Sequence, residues 1–226
     1  MSNSISIVSI EGNISSGKST LLQYVKDNIP SKFSKVFDVI PEGVEAYQRF
    51  FNYNPLRLMY ENPKENSAMA QLHFTRCHAD EVIECLERTK SEKGPTLVLS
   101  DRSLFSPKSF IDAHYTLGNI NSFVRDSLIY EMERLSLDIL KRYSAEYVGM
   151  IYIDTPSDVC MQRIFNRARN GENFVSPQYL EILRKNDEDM VRQWQAKMPA
   201  LKFMRVNGEL ETNIIGDMVS NLLDSL

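Results

Sequence analysis

The stretch Ile5-Ser-Ile-Val-Ser-Ile-Glu-Gly-Asn-Ile-Ser-Ser-Gly-Lys-Ser-Thr20 decides the fold. Its first half is rich in β-branched residues and reads as a short buried strand over Ile5–Ile10. It runs straight into Gly12-Asn13-Ile14-Ser15-Ser16-Gly17-Lys18-Ser19-Thr20, which fits GxxxxGK[ST], and a helical run follows. Glycines let backbone N–H groups face a polyphosphate, and the helix N-terminus adds partial positive charge. Lys18 is placed to bridge the β- and γ-phosphates and Ser19 to ligate Mg²⁺. Strand, loop and helix in this order mark a nucleoside-triphosphate site without naming the acceptor.

Working outward, four more β-rich runs stand at Val36–Ile40, Thr96–Ser100, Val148–Ile153 and Lys202–Val206. Stretches of helical spacing separate them, so the pattern predicts a parallel sheet with crossover helices. Asn121–Tyr143 carries Phe123, Leu128, Met132, Leu135, Ile139 and Leu140 on one face of a long helix. A second helix covers about Ala68–Lys90, and a third starts near Ser157 after Thr155-Pro156. The charged stretch Arg184–Asp189 reads as a solvated helix face.

Ligands of open α/β sheets sit beyond the carboxyl ends of the strands, and two carboxylates fall there. Glu42 follows Val36–Ile40 through Pro41, and Asp101 follows Thr96–Ser100 beside Arg102. Phosphoryl transfer to an alcohol needs a carboxylate to take the hydroxyl proton and cations to hold charge on the moving oxygens. A crevice carboxylate meets the first need; Arg102 and Lys18 meet the second. Asp101 alternatively acts on Mg²⁺. Arg163 and Arg167, four apart on one helix face, and Arg169 form an arginine cluster that reads as a lid over phosphates, its helix ending near Asn170-Gly171.

The 226 residues suit one compact domain with embellishments, able to bury about 70% of the unfolded surface. Hydrophobic residues at 42% and charged residues at 25% exclude disordered and low-complexity classes. A formal charge of −4 speaks against a duplex-nucleic-acid binder. No apolar run reaches the roughly 18–20 residues of a membrane span, and the N-terminal stretch does not read as a signal or transit peptide. Cys77, Cys85 and Cys160 lack CxxC spacing and fit reduced thiols in a cytoplasm-like compartment. His73, His78 and His114 show no metal-ligand spacing.

Taken together, the chain resembles the deoxynucleoside kinase family, which includes deoxycytidine, deoxyguanosine and mitochondrial thymidine kinases and the insect multisubstrate enzyme. The family's Gly-Asn-Ile-x-Ser-Gly-Lys-Ser-Thr loop appears as Gly12–Thr20. Its Pro-Glu-Pro-Val segment appears as Pro41-Glu42-Gly43-Val44. Tyr60 and Gln71 match its substrate Tyr and base-reading Gln, Asp101-Arg102-Ser103 its Glu-Arg-Ser motif, and Arg167–Glu172 the end of its lid pattern.

The resemblance implies an α/β P-loop kinase with a five-stranded parallel sheet, flanking helices and an Arg-rich lid at about 163–175, all in one domain over 1–226. It implies an ATP- and Mg²⁺-dependent deoxynucleoside kinase of nucleotide salvage, cytoplasmic and homodimeric, with Asn121–Tyr143 as a dimer element. It uses small-molecule substrates and binds neither nucleic acid nor membrane. Glu42 becomes the base for the 5′-hydroxyl, Arg102 a stabiliser of the transferring phosphoryl group and Asp101 a Mg²⁺ support with Ser19. Tyr60 and Glu172 bind the sugar 3′-hydroxyl, Tyr47 stands at a substrate position where Trp is common, and Gln71 reads the base. Arg163, Arg167 and Arg169 join the phosphate site, and Asn207-Gly208-Glu209 approaches the adenine.

Several positions depart from the family. Asp101 replaces a Glu, Ala70 and Ile111 stand where aromatic residues are typical, and His78 and Pro107 stand where Arg and Asp often mark base preference. Two aromatic contacts to the base are expected to be missing. The alternatives are a thymidylate kinase-like nucleoside monophosphate kinase and a non-catalytic nucleotide-binding subunit. The first is disfavoured by Pro41, which stands where that family carries an acceptor-binding Arg.

Overall fold

Strand β1 (Ile5–Gly12) lies at the centre of a five-stranded sheet, between β3 (Thr96–Asp101) and β4 (Ala145–Asp154). With β2 (Val36–Ile40) and β5 (Lys202–Asn207) the order is β2-β3-β1-β4-β5, and every pairing is parallel. The computed structural model describes residues 4–28, 36–48, 50–90, 96–168 and 174–226. The five predicted strands are all present, and four of them extend past the predicted residues.

β1 is apolar on both faces because both are covered. Val8 and Ile10 pack with Leu21, Leu22 and Val25 of α1 (Lys18–Asn28) and with Ile215, Val219 and Leu223 of α9 (Thr212–Asp224). Ile5 and Ile7 face the other way, onto Ala79, Val82 and Leu86 of α4 (Pro63–Lys90) and Ile139 and Tyr143 of α6 (Ser122–Tyr143). Each such fully buried aliphatic side chain contributes about 1.5–3 kcal/mol.

Helix α4 begins five residues before the predicted Ala68, at Pro63, whose fixed φ and missing N–H suit a first helical position. Short helices α2 (Val44–Tyr47) and α3 (Pro55–Glu61) bring the chain from β2 to α4. Helix α6 is capped by the Asn121 side chain, which accepts from Val124 N–H, and ends at left-handed Ser144. Helix α5 (Pro107–Thr116) precedes it. Helix α7 (Ser157–Arg167) stops three residues earlier than predicted, at Ala168 in a left-handed conformation.

Helix α8 (Pro177–Lys197) corrects one expectation outright. Arg184–Asp189 is not a solvated face, because Asp187 is 1% exposed and lies in the inward row of Leu180, Leu183 and Val191. The row follows the three- and four-residue spacing of the helix, and position 187 belongs to it by spacing whatever its charge.

Candidate active site

The carboxyl ends of β1, β2 and β3 deliver the predicted residues to one crevice. In parallel register Ile10 of β1 pairs with Asp101 of β3, so the phosphate loop leaving β1 starts beside Asp101-Arg102. Gly12 has φ +141°, and a Cβ there would stand 2.6 Å from the Ile153 carbonyl oxygen, so only glycine suits the turn. The Asn13 side chain donates to the Leu180 carbonyl (2.9 Å) and accepts from Ile14 N–H (2.8 Å), which fastens the loop to α8. Lys18 Nζ folds back onto the carbonyls of Gly12 (3.1 Å) and Asn13 (2.8 Å). Burial, with Arg102 nearby, lowers its pKa, and Asp101 and Glu42 oppose that.

Ser19 Oγ donates to Asp101 Oδ2 at 2.8 Å, and Asp101 Oδ1 is buried with no hydrogen-bond partner among the described residues. Burial holds the Asp101 carboxyl up at about 6, with Lys18 pulling the other way. A hydroxyl and a buried carboxylate with an unused oxygen form the hard oxygen-donor set that suits Mg²⁺.

Arg102 has φ +74°, a strained conformation for a non-glycine residue. Its N–H donates to the Ile10 carbonyl (2.9 Å), its carbonyl accepts from Ser100 Oγ (2.6 Å), and its guanidinium lies 4.7 Å from the Phe110 ring centroid. Burial lowers its pKa, but the charges of Asp187, Glu42, Glu11 and Asp101 outweigh that and raise it.

Two cavities meet here. The phosphate crevice is lined by Ser15, Ser16, Gly17, Lys18, Ser19 and Thr20 of the loop, with Arg163, Arg167, Gly208 and Leu210 across from them. The second cavity is mostly apolar, with Tyr47, Met59, Tyr60, Gln71, Phe74, His78, Arg102 and Phe110 in its wall. Glu42 and Ile14 line both. Gln71 Nε2 donates to the Met59 sulfur (3.3 Å). Burial, with Glu42 and Glu81, pushes the Tyr47 phenol well above its ordinary value and keeps it protonated. Burial and Arg102 lower His78 to about 4, so its ring is neutral at pH 7.

The loss of aromatic surface expected from Ile111 is corrected by the register of α5. Ile111 is core, while Phe110, one residue earlier, lines the cavity. Phe74 lines it as well, against Tyr47, whereas Ala70 lies in a separate outer groove.

Arg163, expected in the lid over the phosphates, lines the phosphate crevice. It is a clip between loops, donating to the carbonyls of Ser16 (3.1 Å) and Gly208 (2.9 Å). Arg169 and Glu172 lie outside the described residues.

Sequence reasoning missed two buried acids. Glu11 accepts from Ser103 N–H (2.8 Å) and Ser106 Oγ (2.7 Å), bracing the turn after Arg102, and burial raises its pKa. Asp187 is the other. The available signal was an acid inside an apolar pattern, in a strand for Glu11 and in a helix row for Asp187.

The family model for deoxynucleoside kinase matches residues 8–222. A probable deoxycytidine kinase of Fowlpox virus is 28% identical over 225 residues, covering 96% of this chain and 86% of that protein. Mouse deoxycytidine kinase is 26% identical over 197 residues, covering 80% of this chain and 73% of that one. In fold, the chain is similar to the deoxyadenosine kinase from M. mycoides solved with dCMP and dCDP, with a TM-score of 0.75, 21% identity and coverage of 97% and 100%. A match that spans nearly the whole chain, on a sheet and loop of this geometry, means that the protein belongs to the deoxynucleoside kinase family.

Proposed function

We propose that the protein transfers the γ-phosphoryl group of ATP to the 5′-hydroxyl of a 2′-deoxynucleoside, with Glu42 as the general base. The observation that carries this reading is that Glu42 lines both cavities. A nucleoside held in the apolar cavity presents its hydroxyl where the two meet.

Glu42 takes the hydroxyl proton as the 5′-oxygen bonds to the γ-phosphorus and the bond to the β-phosphate oxygen breaks, releasing ADP. Lys18 and the loop N–H groups hold the donor phosphates, and Arg102 stabilises charge on the transferring group. Ser19 and Asp101 would hold Mg²⁺, which would supply neutralisation of charge on the donor phosphates. Tyr60, with Glu172, positions the sugar 3′-hydroxyl, and Gln71 reads the base edge with one donor and one acceptor. Arg167 and Arg169 complete the phosphate site from a lid at about 163–175, and the loop at Asn207-Gly208-Glu209 approaches the adenine.

We read 1–226 as one kinase domain that works as a homodimer. Phe123, Tyr130 and Leu137 on α6, spaced by seven, are 78%, 61% and 60% exposed, and form an apolar stripe that a second copy would cover. The three cysteines are free, which suits a reducing, cytoplasm-like compartment. Among the described residues no helix is long and apolar enough to cross a membrane.

The test is incubation with ATP and Mg²⁺ and a panel of the four deoxynucleosides and their monophosphates. Deoxycytidine is the first nucleoside to try, since two relatives bear its name. Formation of a deoxynucleoside monophosphate and ADP is expected. Turnover of monophosphates alone points instead to the thymidylate kinase-like reaction, and nucleotide binding without turnover to a non-catalytic subunit.

A further inference from the structure

The carbonyl of Ser16, inside the phosphate loop, accepts two side-chain hydrogen bonds from outside it. Arg163 Nη1 of α7 donates to it at 3.1 Å, and Thr155 Oγ1, in the residue after β4, donates at 2.8 Å. The other arm of Arg163, Nη2, donates to the carbonyl of Gly208 (2.9 Å), just past β5. Gly208 N–H in turn donates to the Asp154 carbonyl (3.0 Å) at the end of β4. Ser16 and Thr155 are both buried, so water is kept from the bond between them.

A trans peptide unit is planar, and its N–H points opposite to its carbonyl. Anchoring the Ser16 carbonyl to Arg163 and Thr155 therefore turns the N–H of Gly17, in the same peptide unit, away from those two side chains. Gly17 lines the phosphate crevice between Ser16 and Lys18. Successive loop N–H groups bind an anion when they converge on it, and a reversed peptide would turn a carbonyl oxygen toward the phosphates instead. Both arms of the Arg163 fork are engaged on carbonyls, and Thr155, which has no charge, reaches the same oxygen.

We propose that Arg163 and Thr155 are positioning residues for the phosphate loop: together they hold the Ser16 carbonyl back, so that the Gly17 N–H of the same peptide unit faces the donor phosphates. The inference rests on the donor half of the proposed function, in which loop N–H groups hold the phosphates of ATP. It does not depend on the acceptor.

The test uses the full chain and follows T155V and R163K by Tm, by calorimetric titration and by steady-state kinetics. The titrations use ATP and inorganic tripolyphosphate, each with Mg²⁺ and without an acceptor. T155V keeps the side-chain shape and removes the donor. R163K keeps a positive charge, but its single ammonium lacks the fork that spans the Ser16 and Gly208 carbonyls. Affinity for ATP should fall about three- to ten-fold in T155V, the scale of one hydrogen bond, and about ten-fold or more in R163K. Affinity for tripolyphosphate should fall by the same factors. KM for ATP should rise more than kcat falls, with KM for the nucleoside held within about two-fold. A merely structural role would lower Tm and leave both affinities where they were.

Wild-type affinity for ATP in T155V or in R163K overturns the inference. So does a loss for ATP that tripolyphosphate does not share, which would place the effect at the loop after β5. Wild-type protein that binds ATP but not tripolyphosphate overturns it too, as does failure of both variants to fold. If only one variant folds, that one decides. Wild-type protein that binds no ATP would overturn the donor reading itself, whereas ATP binding without turnover of any deoxynucleoside would overturn only the acceptor and leave this inference standing.

Discussion

Ser19 Oγ donates a 2.8 Å hydrogen bond to Asp101 Oδ2, which ties the first turn of α1 to the end of β3. These are the two side chains that sequence motifs assign to the metal, and the fold brings them into direct contact. Asp101 is one methylene shorter than the glutamate usual at this place, and the parallel pairing of β1 with β3 still brings it to Ser19.

Asp101→Asn keeps the contact with Ser19 but removes the negative charge. Turnover should fall about 10²-fold or more at millimolar Mg²⁺, and part of it should return as Mg²⁺ is raised. Rates measured across a Mg²⁺ titration check this; a variant with the wild-type Mg²⁺ dependence would take Asp101 out of the metal site.

Glu42→Gln should cut kcat about 10²–10⁴-fold while nucleoside binding persists, since the carboxamide fills the same space without accepting a proton. Calorimetric titration with deoxycytidine separates binding from turnover. A near-normal kcat would move the base elsewhere.

Glu81 lies against Gly43, whose backbone N–H it accepts, and burial, with the charge of Glu42, pushes its carboxyl up to about 7. A carboxyl raised above its unfolded value binds more protons in the native state. Its contribution is therefore full below about pH 4.5 and is lost as pH rises through about 7. Glu81→Gln keeps an acceptor for Gly43 and cannot ionise. Relative to wild type its Tm should gain at pH 8 and show no gain at pH 4.5, as scanning calorimetry at the two pH values would report.

Gly43→Ala places a Cβ 1.7 Å from Glu81 Oε1, so the Glu81 side chain must move. Overpacking of this kind costs about 1–3 kcal/mol and here would also shift Glu42. Stability and turnover should both drop. Adding Glu81→Ala should restore most of the stability; if the double variant is no better than Gly43→Ala alone, the steric account fails.

The candidate site was legible in the sequence wherever short-range chemistry specifies position. Gly12–Thr20 lies between a strand and a helix, and Glu42 and Asp101 follow strand ends, so topology alone carries them to one crevice. Arg163 lines the same crevice as the phosphate loop, but its bonds to Ser16 and Gly208 depend on how α7 meets the loop after β5. Phe110 was missed because alignment to a family position favours Ile111, whereas the rotation of α5 after Pro107 turns Ile111 into the core.

By itself the sequence determined the parallel α/β sheet, the phosphate loop and the identity of the chemistry-bearing strand ends, because these rest on local periodicity and on backbone geometry that only glycine supports. The tertiary structure alone decided what surrounds Arg102. The charges of Glu11 on β1 and Asp187 on α8 act on it, and the Phe110 ring of α5 lies against its guanidinium, from distant parts of the chain. The physical reason is that a charge's partners are set by three-dimensional distance and by the burial that removes water's screening, and neither can be read from spacing along the chain.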